Sequence, residues 1–149
     1  VIVTEGISDF HAFSFYCSEL LKSSGIYLLP GLGDSNHDMQ IASLIGKSIS
    51  FIVILDDDVS GRKGANRYRD NWLLDENHIA TVGELHTDAK DKKLETLLTN
   101  DSLSDISAHF SHTNQKKKKE IGLYFAEANA GLITKKNIDT ERIMKNIIN

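Results

Sequence analysis

The sequence predicts an α/β protein: a Rossmann-like, mainly parallel four-stranded sheet flanked by helices, with a helical C-terminal extension. Three observations predict it. Short apolar runs at residues 1–4, 26–29, 50–55 and 79–85 alternate with stretches of helical spacing. The run at 50–55 is apolar almost throughout, as in a parallel strand covered on both faces. The chain has 149 residues, 40% apolar and 26% charged, which suits one domain with its own core.

Taken in order, Val1-Ile2-Val3-Thr4 reads as a buried strand and Glu5-Gly6 as a turn. Ser8 is placed to cap a helix with apolar positions Phe10, Phe13, Tyr16, Leu20 and Leu21, and Ser23-Ser24-Gly25 stops it. Residues 26–29 form a second strand, ended by Pro30, and Gly31-Leu32-Gly33-Asp34 is a loop. Ser35 or Asn36 starts a helix through Ile41, Leu44 and Ile45. Residues 50–55 form the third strand, 56–61 a loop, 62–74 a helix and 79–85 the fourth strand. Beyond residue 90 the chain turns helical and polar. Helices are expected at 92–98, 115–128 and 139–148, and 100–111 reads as a Ser/Asp-rich connection with room for one helical turn. Residues 1–88 are thus the expected α/β core and 89–149 a helical part of the same domain.

The net charge of −4 argues against a surface that grips nucleic acid all round, yet it allows a local basic face. Cys17 is the only cysteine, so there is no disulfide framework and no cysteine zinc site; its apolar setting reads as a packed thiol, and a reducing cytoplasm fits. The apolar runs are too short to span a bilayer. The chain opens inside a strand with no initiator Met, so it is expected to be a piece of a longer protein.

The strongest chemical signal is Asp56-Asp57-Asp58 directly after the third strand. Three adjacent carboxylates repel one another unless a cation or water screens them, and carboxylates are hard ligands suited to Mg²⁺ or Mn²⁺. Alternation along an extended backbone sends Asp56 and Asp58 to one side and Asp57 to the other. The alternative is a solvated acidic loop. Glu5 follows the first strand in the same way, with Gly6 permitting a tight turn. Asp9, four residues on, is either a ligand or an ordinary first-turn acid.

Glu5-Gly-x-x-Asp9 after one strand and Asp56-x-Asp58-x-x-Gly61 after another resemble the Toprim domain of primases, topoisomerases and OLD-type (overcoming lysogenization defect) nucleases. The resemblance covers about the first 85 residues. It implies that Glu5 acts as general acid/base or metal ligand and that Asp56 and Asp58 bind magnesium. Lys93-Leu94-Glu95-Thr96-Leu97-Leu98 is similar to the acidic helix of OLD-type nucleases, which implies a second-metal role for Glu95; Thr96 departs from the pattern. Lysines 116–119 precede an apolar helix, and the same resemblance implies a functional lysine, Lys118 by best match and Lys119 as the second choice. A solvated face or a phosphate-backbone patch is the other reading of that run.

What the resemblance implies is a metal-dependent endonuclease using one or two ions of Mg²⁺ or Mn²⁺ on DNA, not at a membrane. It also implies an upstream ATPase of the ABC type as the route to ATP and to homo-oligomers, and partners in anti-phage defence. Arg62, Lys63, Arg67 and Arg69 are candidates for the nucleic-acid backbone or for solvated helix surface. The six histidines, His86 at the fourth strand's end among them, show no zinc spacing, and Gly31-Leu32-Gly33 lacks dinucleotide or P-loop spacing. A primase- or topoisomerase-type Toprim unit, a phosphohydrolase with Asp56 as nucleophile and an inert interaction module are the competing readings.

Overall fold

The computed structural model describes residues 1–33, 37–110, 118–134 and 136–149. Strands β1 (Ile2–Thr4), β2 (Leu28–Leu29), β3 (Ile52–Leu55) and β4 (Ile79–Thr81) pair in the order β2-β1-β3-β4, all parallel. Val3 lies opposite Leu29 on one side and Val53 on the other, and Leu55 opposite Thr81. The class expected from the sequence is therefore the one observed.

Successive strand residues feed two cores, because side chains alternate across a sheet. Ile2 and Ile54 join one core with α1 (Ile7–Tyr16), α2 (Ser18–Ser24), α6 (Asn100–His109), α7 (Lys118–Asn129) and α8 (Ile138–Ile148). Val3, Val53 and Leu55 join the other with Ile41 and Leu44 of α3 (His37–Gly46) and Ala65 and Tyr68 of α4 (Val59–Trp72). Both faces are covered, which is why these strands need no polar positions. In the first core the Phe125 ring lies 5.8 Å from Phe15 and 5.5 Å from Tyr16, docking α7 on α1. Phe125 is fully buried, a contribution of roughly 1.5–3 kcal/mol.

Several boundaries differ from the sequence expectation. The first helix breaks at Cys17 (φ −107°, ψ 11°), and its N-cap is Gly6, not Ser8. Cys17 is buried, and burial pushes its thiol up to about 12, so it is the packed core thiol expected. The fourth strand stops at Thr81. There a reciprocal capping box, in which Thr81 accepts from Glu84 N–H and Glu84 from Thr81 N–H, starts the single turn α5 (Val82–Leu85). The helix expected at 92–98 is a 3-10 turn over Leu94–Leu97. The segment read as a connection at 100–111 contains α6, a ten-residue helix capped by Thr99. Among the described residues, no helix is long and apolar enough to cross a membrane.

Candidate active site

The strand order reverses direction between β1 and β3: the chain steps from β1 outward to β2, then returns across β1 to β3. In parallel sheets the crevice for ligands opens at the carboxyl ends of the strands flanking such a switch. Glu5 and Asp56 are the first residues past those two ends. Glu5 Oε2 accepts a 2.8 Å hydrogen bond from the backbone N–H of Asp56, so the Glu5 carboxylate reaches the carboxyl end of β3.

The turn after β1 is tightly built. Thr4 Oγ1 donates to Gly6 O at 3.0 Å, and Asp9 Oδ2 accepts from Gly6 N–H at 2.9 Å. Asp9 thereby acts as the first-turn acid of α1. The fully buried His37 has Nε2 3.2 Å from Thr4 O and Nδ1 3.5 Å from the Tyr68 hydroxyl, tying α3 and α4 to the end of β1. Gly31 packs so closely on the Thr4 and Glu5 carbonyls that a Cβ would collide with both, which brings the Gly31-Leu32-Gly33 loop to this edge.

After β3 the three aspartates diverge. Asp56 is 3% exposed. Asp57 turns to the side of β4: Oδ1 accepts from Thr81 Oγ1 at 3.0 Å, Oδ2 from Asp91 N–H at 2.7 Å, and Arg62 Nη1 lies 3.2 Å from Oδ1. Burial pushes its carboxyl up, but those donors and the arginine charge outweigh it, leaving the group below the ordinary carboxylate value. Asp58 is the N-cap of α4, with Oδ1 accepting from Gly61 N–H at 2.7 Å and Oδ2 lying 3.0 Å from Lys93 Nζ. Its carboxyl is likewise held low: burial raises it, and Gly61 N–H and Lys93 more than offset that. Gly61 is confined to glycine because a Cβ would overlap the Asp56 carbonyl. The Asp-x-Asp-x-x-Gly spacing thus has a local cause in the cap that opens α4.

Lys93 is the residue that sequence reasoning missed. The hydrogen bond to Asp58 comes first in holding its ammonium above the ordinary lysine value, followed by the Asp58 charge, with Asp56 and Glu95 adding to it. One cation therefore feels three of the expected metal ligands. No local pattern announces this, because Lys93 is delivered by a long-range tether. Asp57 N–H donates to Lys92 O at 2.9 Å and Asp57 Oδ2 accepts from Asp91 N–H, which pins the segment against the end of β3.

Beside Glu5 lies a groove of about 710 Å³ between α1, the Gly31–Gly33 loop and α7. Ile7, Leu32 and Leu123 are exposed within it, and His11 and Lys119 line it with Glu5. Burial lowers the His11 imidazole below its ordinary value. The sequence held a signal for His11: it lies four residues after Ile7, on the same helix face. Lys119 lines the same groove as Glu5. Lys118 opens α7, but its side chain, like residues 111–117, lies outside the described residues.

Other expected contacts are made inside the protein. Arg62 also pairs with Asp91 at 2.9 Å, Arg67 donates to the Tyr68 hydroxyl, and Arg69 reaches Glu84 and Ile79 O. Lys63 is exposed. His86 caps the 3-10 turn Thr87–Ala89, and its Nε2 lies 3.2 Å from Asn146 Nδ2.

Among the described residues, no three His, Cys, Asp or Glu side chains already converge as a metal cage. The donor set still fits a hard divalent cation: Glu5, Asp56 and Asp58 supply only oxygen, and a positive charge is already drawn to them. Compared with known proteins, the chain matches no family model, no curated protein and no solved structure.

Proposed function

We propose that the chain is the catalytic domain of a divalent-metal-dependent nuclease of the OLD-type Toprim kind, hydrolysing DNA phosphodiester bonds. The observation that carries this reading is the reach of the Glu5 carboxylate across the switch point to the Asp56 backbone N–H, with Asp58 on the same turn. Glu5, Asp56 and Asp58 would hold the ion, with Glu95 and Asp9 nearby on the flanking turns. A bound Mg²⁺ or Mn²⁺ supplies an activated water and charge neutralisation for the phosphate.

The protein's own groups support the rest. Glu5 lines the groove on the side of the candidate ligands, where it can take or return a proton. Lys119 attracts a phosphate along the opposite wall, and Lys118 or Lys119 neutralises charge as it develops. Ile7, Leu32 and Leu123 offer apolar surface to sugar and base. An upstream ATPase, a cytoplasmic setting and a place in anti-phage defence belong to the same proposal.

The test is nicking of supercoiled plasmid in Mg²⁺ or Mn²⁺ by the wild type and by Glu5→Gln and Asp56→Asn, with circular dichroism to confirm folding. Metal-dependent nicking lost in both folded variants supports the reading. Undiminished nicking in both refutes it, and relaxation without nicked product points to the topoisomerase-type alternative.

A further inference from the structure

We propose that Lys93 is a built-in counter-ion of the candidate metal site, so that a divalent cation binding at Asp58 must displace its ammonium and Lys93 sets the site's affinity for metal. This rests on the metal-site reading above and adds a residue whose role is antagonistic to the ion.

The geometry at Asp58 carries the argument. Its Oδ1 is engaged by Gly61 N–H at 2.7 Å in capping α4. The other oxygen, Oδ2, which lies away from that Gly61 bond, is the atom Lys93 Nζ approaches at 3.0 Å. A divalent ion on Oδ2 would sit within a few ångströms of the ammonium, and like charges at that range repel. The two cations therefore compete for one oxygen.

The position of Lys93 is no accident of a long surface side chain. Asp57 fixes the backbone on either side of Lys92, accepting from Asp91 N–H at 2.7 Å and donating its own N–H to Lys92 O at 2.9 Å. Arg62 closes the clamp by bonding Asp57 O at 2.7 Å and Asp91 at 2.9 Å. The middle aspartate of the triad thus holds the segment that lends a cation to the third. The Lys93 side chain is 55% exposed, so its ammonium has an open path to water once displaced. The Lys93 charge thus balances Asp58 at the point where three aspartates follow one another.

The test is Mn²⁺ binding to the full chain, read from loss of the free-ion electron paramagnetic resonance signal. The proteins are the wild type, Lys93→Met, Lys93→Gln, Lys93→Arg and Glu5→Gln, each checked by circular dichroism. The neutral variants are expected to bind Mn²⁺ about fivefold more tightly, the effect of removing an ion pair of roughly 1 kcal/mol. Lys93→Arg, which keeps the charge, should stay near wild type. Binding that is unchanged or weaker in both neutral variants, with Glu5→Gln impaired, overturns the role of Lys93 and leaves the metal site standing. Absence of binding in every protein, or undiminished binding in Glu5→Gln, overturns both.

Discussion

On one side of the chain leaving β3, Asp57 has a partner for every oxygen: Thr81, Asp91 N–H and Arg62. On the other side, Asp58 caps a helix through the Gly61 and Ser60 N–H groups and holds its Oδ2 3.0 Å from a half-exposed lysine, with Glu5 and Asp56 alongside. The two sides are one residue apart in sequence. A carboxylate enclosed by fixed donors is a structural joint, because any new ligand would have to break bonds that hold the fold. A carboxylate balanced by one half-exposed cation can exchange that cation for another. The difference teaches that the acidic triad combines a clamp with a candidate ligand pair.

Substitutions should separate the two sides. The largest effect is expected at Glu5→Gln: cleavage falls by about 10²–10⁴-fold while the melting temperature stays near wild type, measured by plasmid nicking and thermal unfolding. Gly61→Ala should destabilise by about 2–4 kcal/mol in urea unfolding, since its Cβ would overlap the Asp56 carbonyl. Asp57→Asn should cost about 1–3 kcal/mol, because an amide nitrogen then faces a donor.

That loss carries a pH signature. The folded Asp57 carboxyl lies below its ordinary value of 3.8, so its stabilisation is complete above that value and is lost as pH falls through the folded value. The stability gap between wild type and Asp57→Asn should be full at pH 6 and narrower in urea melts near pH 3. A constant gap would break the comparison. Thr81→Val is expected to have the smallest effect, about 1 kcal/mol in the same melts, from losing the cap of α5 and the hydroxyl donated to Asp57.

Much of this architecture was legible in the residues. The strands declared themselves because both faces are buried and no polar alternation interrupts them. The closeness of Glu5 to the end of β3 followed from two neighbouring strand ends in a parallel sheet, and the turn of Asp57 away from Asp58 from backbone alternation. Other features were masked by composition. The Ser- and Asp-rich α6 reads as a loop, although Leu103, Ile106 and Phe110 recur at helical spacing and bind it to the core. Apolar Val82 and Leu85 extended the fourth strand on paper, whereas the Thr81-x-x-Glu84 capping box ends it. Lys93 was out of reach for a different reason: its place depends on the Asp57 clamp, a contact between segments 34 residues apart.

The most direct measurement is a Mg²⁺ titration followed through backbone amide chemical shifts. Saturable changes should be largest at Glu5, Gly6, Asp56, Asp58 and Lys93, and small at Thr81 and Asp91 on the clamped side. Changes confined to the Asp57, Thr81 and Asp91 side, or none at millimolar Mg²⁺, would contradict the assignment of the two sides.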